Sequence, residues 1–270
     1  MRSRLAAALL ALWPLASSAA LSEDVPFVVT PDNVTLAMLN LAKVIPEDYL
    51  IDLGSGDGRI VITAAKRFGA RGLGVEIVPD LVAKSRAAAS AAGVSQRAIF
   101  REQDLFQTDL APASVITMYL LPEVNLQLRP KLLHLRPGTR IVSHDWDMGE
   151  WQPDKTVTVD VPDKPIGREK LSRVHLWIVP ARVDGAWCGT GKFKGARLQL
   201  DQKFQKFAGV LADASGERQF TGTITGEILR APPGLTMTFD GTRLKATYTT
   251  GKYSALRGAT FARPRGQSCK

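Results

Sequence analysis

At 270 residues the chain is long enough for one large domain and a smaller one. Its hydrophobic content of 45% is ordinary for a globular protein. The formal net charge of +9 favours acidic partners or anionic surfaces, yet the basic residues are scattered with no run of four, so nucleic acid is not the expected partner.

The N-terminus reads as an export signal. Arg2 and Arg4 form a charged start, Leu5 to Leu15 an apolar core, and Ala16-Ser17-Ser18-Ala19-Ala20 a small-residue stretch suited to cleavage after Ala20. The apolar run is short for a membrane span, which needs about 20 residues. The expectation is an exported protein, periplasmic or secreted, with an uncleaved membrane anchor as the alternative. Domains are expected at 1–20 (signal peptide), 21–180 and 181–270.

From Ser22 to Pro31 the chain reads as extended, and Pro31 then opens a helix carrying Val34, Met38, Leu39 and Leu41. The apolar run Tyr49 to Leu53 predicts a strand. A glycine-rich loop follows, Gly54-Ser55-Gly56-Asp57-Gly58, and then a helix carrying Ile60, Val61, Ala64, Ala65 and Phe68. Strand, tight loop and helix are the opening unit of a nucleotide-binding α/β domain. Gly54 and Gly56 fit a dinucleotide fingerprint, but Arg59 stands where its third glycine belongs. Asp52 would repel phosphates and suits instead a ligand with a cationic head.

Asp52-Leu53-Gly54-Ser55-Gly56-Asp57-Gly58 resembles motif I of the class I S-adenosylmethionine-dependent methyltransferases. The resemblance implies a Rossmann-like seven-stranded sheet, S-adenosyl-L-methionine as cofactor, and cofactor contacts from Asp52, Gly54, Ser55, Gly56 and Gly58. The second strand, Gly72 to Glu76, ends on an acid 24 positions after Asp52, a spacing that suits a carboxylate bonding ribose hydroxyls; Ile77 beside it joins the cofactor set. A helix opens at Pro79 and closes at Gly93, and Ala98 to Arg101 is the third strand. In the family an acid following that strand bonds the adenine amino group and the next apolar residue lies against the ring, which assigns these roles to Asp104 and Leu105.

Ser114 to Tyr119 is the fourth strand and Thr139 to Ser143 the fifth, with a helix carrying Val124, Leu128, Leu132 and Leu133 between them. Thr156 to Val161 and Val174 to Val179 read as an antiparallel hairpin closing the sheet. Loops after strands four and five are left for the methyl acceptor. Met118-Tyr119-Leu120-Leu121-Pro122 lacks the Asn/Asp-Pro-Pro-aromatic motif of enzymes that methylate base amino groups. Tyr119 is a candidate wall of the methyl path. After strand five come His144, Asp145, Asp147 and Glu150, able to orient an acceptor ammonium and receive its proton, or to hold a divalent metal as in some O-methyltransferases. Tyr119, His144 and Asp145 are taken as the catalytic candidates; no metal site is assigned.

Residues 24 to about 152 carry a finer resemblance to the lysine methyltransferase-like group, through Asp24-Val25-Pro26-Phe27-Val28-Val29-Thr30-Pro31 and Gly58-Arg59-Ile60-Val61. It implies a protein lysine as acceptor and adds Phe27 and Thr30, which would close over the methionine end of the cofactor. A small-molecule or envelope-component methyltransferase, and a non-catalytic scaffold of the same fold, are the alternatives.

From about Ala181 glycines multiply and short alternating runs appear: 189–193, 196–200, 204–211, 220–228, 235–239, 244–248 and 255–262. They predict a small antiparallel β domain, barrel or sandwich. Cys188 and Cys269 bracket it, and in an exported protein such a pair suggests a disulfide.

Overall fold

A computed structural model describes residues 28–164, 169–264, 266 and 269. The expected export signal, its cleavage site and Phe27 lie outside the described residues.

The chain builds a seven-stranded sheet and then a closed eight-stranded barrel. In order come α1 (Asp32–Leu41), β1 (Tyr49–Leu53), α2 (Arg59–Phe68), β2 (Arg71–Glu76), α3 (Pro79–Ala91), β3 (Ala98–Glu102), β4 (Val115–Met118), α4 (Pro122–Leu133), β5 (Arg140–His144), β6 (Lys155–Asp160) and β7 (Leu171–Ile178). Pro31 stands one place outside α1, as its N-cap. The sheet order is β3-β2-β1-β4-β5-β7-β6. β1 to β5 run parallel, and β7 enters antiparallel between β5 and β6.

β1 is the centre, and strand order reverses there, which opens a crevice at the carboxyl end of the sheet. Its residues Leu50 to Leu53 are all buried, as a strand covered by helices on both faces must be. One face packs against Val34, Met38 and Leu39 of α1, Ile60, Val61 and Ala64 of α2, and Val82 of α3. The other packs against Leu128 and Leu132 of α4, with Met148, Trp151 and Trp177.

The barrel consists of β8 (Gly185–Gly189), β9 (Arg197–Lys203), β10 (Lys206–Asp213), β11 (Gly216–Thr225), β12 (Ile228–Ala231), β13 (Leu235–Phe239), β14 (Arg243–Thr249) and β15 (Thr260–Ala262). Closure removes the open edges that a sandwich would leave. Alternate residues, among them Trp187, Leu198, Leu200, Phe207, Leu211 and Phe220, fill its interior. The structure departs from the sequence expectation in three places. The run 189–193 is not a strand: β8 precedes it, and Gly191–Phe193 forms a 3-10 turn. The run 220–228 is two strands, because Gly226 takes φ +56° and turns the chain between them. In the run 255–262 only the last three residues are extended, after a 3-10 turn ending at Leu256. Cys188 and Cys269 form the expected disulfide, closing a separation of 81 residues.

The barrel joins the sheet through Trp151, whose ring stacks on Phe204 at 6.3 Å, and through the Ala181 N–H, which donates to the Gly226 carbonyl at 2.7 Å. Gly226 also lies against Gly138, just before β5. These contacts put the barrel at the amino end of the parallel strands, away from the crevice. Charge divides along the same line. Residues 1–180 hold 20 basic and 20 acidic side chains, residues 181–270 hold 15 and 6, so the net +9 belongs to the C-terminal part.

Candidate active site

The loop after β1 bends under tight steric limits. Gly54, Gly56 and Gly58 take φ of +71°, +52° and +80°. The N–H groups of Gly54 and Ser55 donate to the Val75 carbonyl at 3.0 and 2.9 Å, folding the loop back onto β2. Gly58 has no substitute: a Cβ there would lie 2.6 Å from both Phe100 and Ser85. Glu76, at the end of β2, turns toward the loop. Its Oε2 accepts the Gly56 N–H at 2.9 Å, and its Oε1 accepts those of Ile77 and Val78 at 2.8 and 3.1 Å. Each carboxylate oxygen can accept more than one bond, so Glu76 retains capacity for a ligand hydroxyl.

Asp52 is 2% exposed and, among the described residues, accepts one side-chain bond, from the Thr117 hydroxyl across on β4 at 2.6 Å. Burial pushes its pKa up to about 7, against the pull of Thr117, and the nearby charges of Glu76 and Asp57 add to the rise. A cation beside Asp52 would relieve this directly. The Ser55 hydroxyl is also buried, without a protein partner among the described residues. Beside the loop, Ile77 is 68% exposed, an apolar platform at the crevice mouth. Acid, orphaned hydroxyl, glycine bends and apolar platform fit a cationic nucleoside such as S-adenosylmethionine. They fit a pyrophosphate poorly, because Asp52 and Glu76 would repel it. Asp104 caps the 3-10 turn Leu105–Gln107, accepting from the Phe106 N–H at 2.7 Å and the Gln107 side chain at 3.2 Å. Leu105 packs partly into the core behind it.

Arg59, at the start of α2, ties this loop to the segment before α1. Its guanidinium meets Asp57 at 2.7 Å and Asp32 at 3.4 Å, and donates to the Thr30 carbonyl at 2.9 Å. Thr30 continues the chain of contacts, since its hydroxyl shares a 3.3 Å hydrogen bond with His144 Nδ1. His144 Nε2 shares another, at 2.9 Å, with the Ser172 hydroxyl on β7. Burial lowers the His144 pKa to about 4; Asp145 pulls it upward and Lys164 pushes it further down. At neutral pH the ring is therefore uncharged. Tyr119 lies over it at a tilt of 31°, with ring centres 3.9 Å apart. Burial, and then the charge of Asp145, raise the Tyr119 pKa, so it stays a phenol.

Asp145 takes φ +61°, a left-handed conformation rare for a non-glycine residue. Two bonds hold it there: its N–H donates to the Arg173 carbonyl at 2.7 Å, and its Oδ1 accepts the Arg173 N–H at 2.9 Å. Oδ2 faces Lys164 Nζ at 2.7 Å and lies 3.5 Å from His144 Nε2. Val28, Val29, Pro31, Tyr119, His144, Lys164 and Ser172 line one small pocket here. Behind it, buried Asn125 of α4 donates to the carbonyls of Trp146 and Asp147 at 3.2 and 3.3 Å and pins the loop after β5.

The sequence candidates thus gather in two groups along the carboxyl edge of the sheet. Asp52, Gly54, Ser55, Gly56, Gly58 and Glu76 form the first, flanked by Ile77, Asp104 and Leu105. Thr30, Tyr119, His144 and Asp145 form the second. Asp147 and Glu150 join neither. Asp147 caps its own turn at the Gly149 N–H (2.9 Å), and Glu150 faces Lys203 of the barrel at 3.4 Å. Three participants carry no local sequence signal: Thr117, Ser172 and Lys164 reach the site from strand or loop positions that only the fold brings near.

The model of the ANTKMT methyltransferase domain matches residues 52–155. A protein-lysine N-methyltransferase of Saccharolobus islandicus is 44% identical over 138 residues, which is 50% of this chain and 86% of that protein. The adenine nucleotide translocase lysine N-methyltransferase of Mus musculus is 36% identical over 132 residues, 48% of this chain and 57% of that one. A crystal structure described as an RNA methyltransferase from Salinibacter ruber, in complex with S-adenosyl-L-homocysteine, shares 51% identity and a TM-score of 0.52 over 58% of this chain and 96% of its own. The family match ends at residue 155, before the barrel begins. The chain is an S-adenosylmethionine-dependent methyltransferase of class I, and it belongs to the family of the Saccharolobus islandicus enzyme.

Proposed function

We propose that the enzyme methylates the side-chain amine of a lysine in a protein, and that it works outside the cytoplasm. The observation that carries the first part is the seat at Asp145. A carboxylate in a strained, doubly anchored conformation faces an ammonium at 2.7 Å beside the Tyr119 ring. That is the chemistry an arriving lysine requires. The names of the archaeal and mouse relatives support the same reading.

In this reading Asp52 pairs with the ammonium of the cofactor, Glu76 bonds its ribose, and Ile77, Asp104 and Leu105 hold its adenine. Gly54, Ser55, Gly56 and Gly58 let the backbone approach it, and Phe27 and Thr30 cover its methionine end. The bound cofactor supplies an electrophilic methyl group on a sulfonium. Asp145 orients the acceptor ammonium and receives or relays its proton, leaving a neutral amine to attack. Tyr119 confines the approach, and neutral His144, gripped by the hydroxyls of Thr30 and Ser172, holds the wall of the seat in place. Positioning of this kind supplies most of the rate in a bimolecular displacement.

Export is supported by the N-terminal pattern and by the disulfide between Cys188 and Cys269, a bond that persists in oxidising compartments. The Salinibacter ruber relative raises RNA as a second acceptor class. The residues after β4, Met118-Tyr119-Leu120-Leu121-Pro122, speak against a base amino group. Incubating the enzyme with cell extract and methyl-labelled cofactor separates the two. Label released by protease and resistant to ribonuclease supports the proposal; the reverse pattern overturns it.

A further inference from the structure

Lys164 lies in the seat just assigned to the substrate. Its Nζ is 2.7 Å from Asp145 Oδ2 and donates to the Leu171 carbonyl at 2.6 Å. The side chains of Lys164 and Asp145 are only 13% and 15% exposed. Val29, Pro31, Tyr119, His144 and Ser172 line the same small pocket. A carboxylate and a backbone carbonyl on a largely buried ammonium, in a pocket that Tyr119 also lines, are the contacts a foreign lysine would seek. Lys164 already has them.

We propose that Lys164 is a built-in pseudosubstrate. Its ammonium fills the acceptor seat, and an incoming lysine must displace it from Asp145. The inference rests on the lysine reading above and adds regulation to it. The strain at Asp145 supports it. A left-handed aspartate costs energy that the surrounding structure must offset, and such strain concentrates where a side chain has to be aimed. Here both anchoring bonds are to Arg173, which leaves Oδ2 to Lys164 Nζ at 2.7 Å, with His144 Nε2 3.5 Å away. An ammonium from the chain itself satisfies that oxygen until a substrate arrives. Weak amines then fail to enter, and only an acceptor with further contacts elsewhere offsets the cost of displacement.

The test uses the full-length, disulfide-intact protein, Lys164→Met, and Lys164→Gln as a second variant that keeps a donor for Asp145. Thermal melting and calorimetric binding of S-adenosylhomocysteine establish that each variant is folded. The first readout is methylation of poly-L-lysine. If Lys164 holds the seat about nine-tenths of the time, its removal lowers the KM for poly-L-lysine about tenfold, with S-adenosylhomocysteine affinity unchanged. Lys164→Arg, which keeps a cation there, leaves KM high. A KM unchanged or raised in both folded variants overturns the proposal and makes Lys164 a structural counter-ion. The second readout needs no catalysis: butylammonium binding with S-adenosylhomocysteine bound. The variants gain binding that the wild type lacks. If they do so while poly-L-lysine stays unmethylated by all forms, the occupied seat stands and the lysine-acceptor reading fails. No gain in butylammonium binding and no change in KM sinks the pseudosubstrate.

Discussion

Asp52→Asn should stabilise the free protein while weakening its hold on the cofactor. Asp52 carries a pKa of about 7 in the fold against an ordinary 3.8, chiefly because it is buried. Its folded pKa is raised, so the contribution to stability is fully present below pH 3.8 and is lost as pH climbs through 7. Each unit is worth about 1.4 kcal/mol, so the ionised carboxylate costs about 4 kcal/mol at pH 8 and less than about 2 kcal/mol at pH 5. Asparagine keeps an acceptor for the Thr117 hydroxyl and sheds the charge. The variant should melt several degrees higher than wild type at pH 8, with a much smaller gain at pH 5. Adding S-adenosylhomocysteine should reverse the order at pH 8, because its ammonium favours an ionised partner. Scanning fluorimetry of both proteins at the two pH values, with and without the ligand, measures this. Equal gains at pH 5 and pH 8, or a destabilised variant, would refute the idea of an uncompensated buried acid.

Gly58→Ala forces a side chain onto φ +80° with its Cβ 2.6 Å from Phe100 and Ser85, so chemical denaturation should show a loss of more than about 2 kcal/mol. Glu76→Gln weakens charge-assisted bonds at the loop and to the ribose, and calorimetry should show S-adenosylhomocysteine binding reduced by about 1–3 kcal/mol. His144 has its pKa lowered by burial to about 4 from 6.5, so its neutral form stabilises the fold above pH 6.5 and that contribution drains away toward pH 4. The difference in unfolding free energy between wild type and His144→Gln should therefore shrink by up to about 3 kcal/mol across that window. Cys188→Ser opens an 81-residue closure and should cost the barrel about 4 kcal/mol, with S-adenosylhomocysteine affinity unaltered because the barrel packs at the far end of the sheet.

The glycine loop is legible from sequence because its constraint is local. Positive φ at Gly54, Gly56 and Gly58 and an acid on either side of the bend are written within seven residues. The parallel strands are equally plain, since each is a short apolar run bounded by a helix pattern. Strand ends in the barrel are harder. Its turns are short and chemically varied, from Phe204-Gln205 to Gly226-Glu227, and a 3-10 turn such as Gly191–Phe193 has the same alternating composition as a strand. Asp104 shows how one residue can be read two ways: the family resemblance proposes it as an adenine ligand, and in the structure it caps the turn at Phe106. The proposed acceptor seat is only half visible. Tyr119, His144 and Asp145 follow two strands whose carboxyl ends face the crevice. Ser172 and Lys164 come from the β6–β7 hairpin, whose antiparallel insertion beside β5 is a tertiary fact. The division of charge between the two halves of the chain is a matter of counting, but its meaning depends on the barrel being a separate body.

The identity of the methylated amino acid is the most direct test. Protein labelled by the enzyme from methyl-labelled cofactor is hydrolysed in acid and its amino acids are separated. Label recovered as ε-N-methylated lysine, and lost when Asp145→Asn replaces the wild type in the reaction, is the expected result. Label in any other residue, or in nucleotides, would contradict the assignment of Asp145 as the seat of a lysine ammonium.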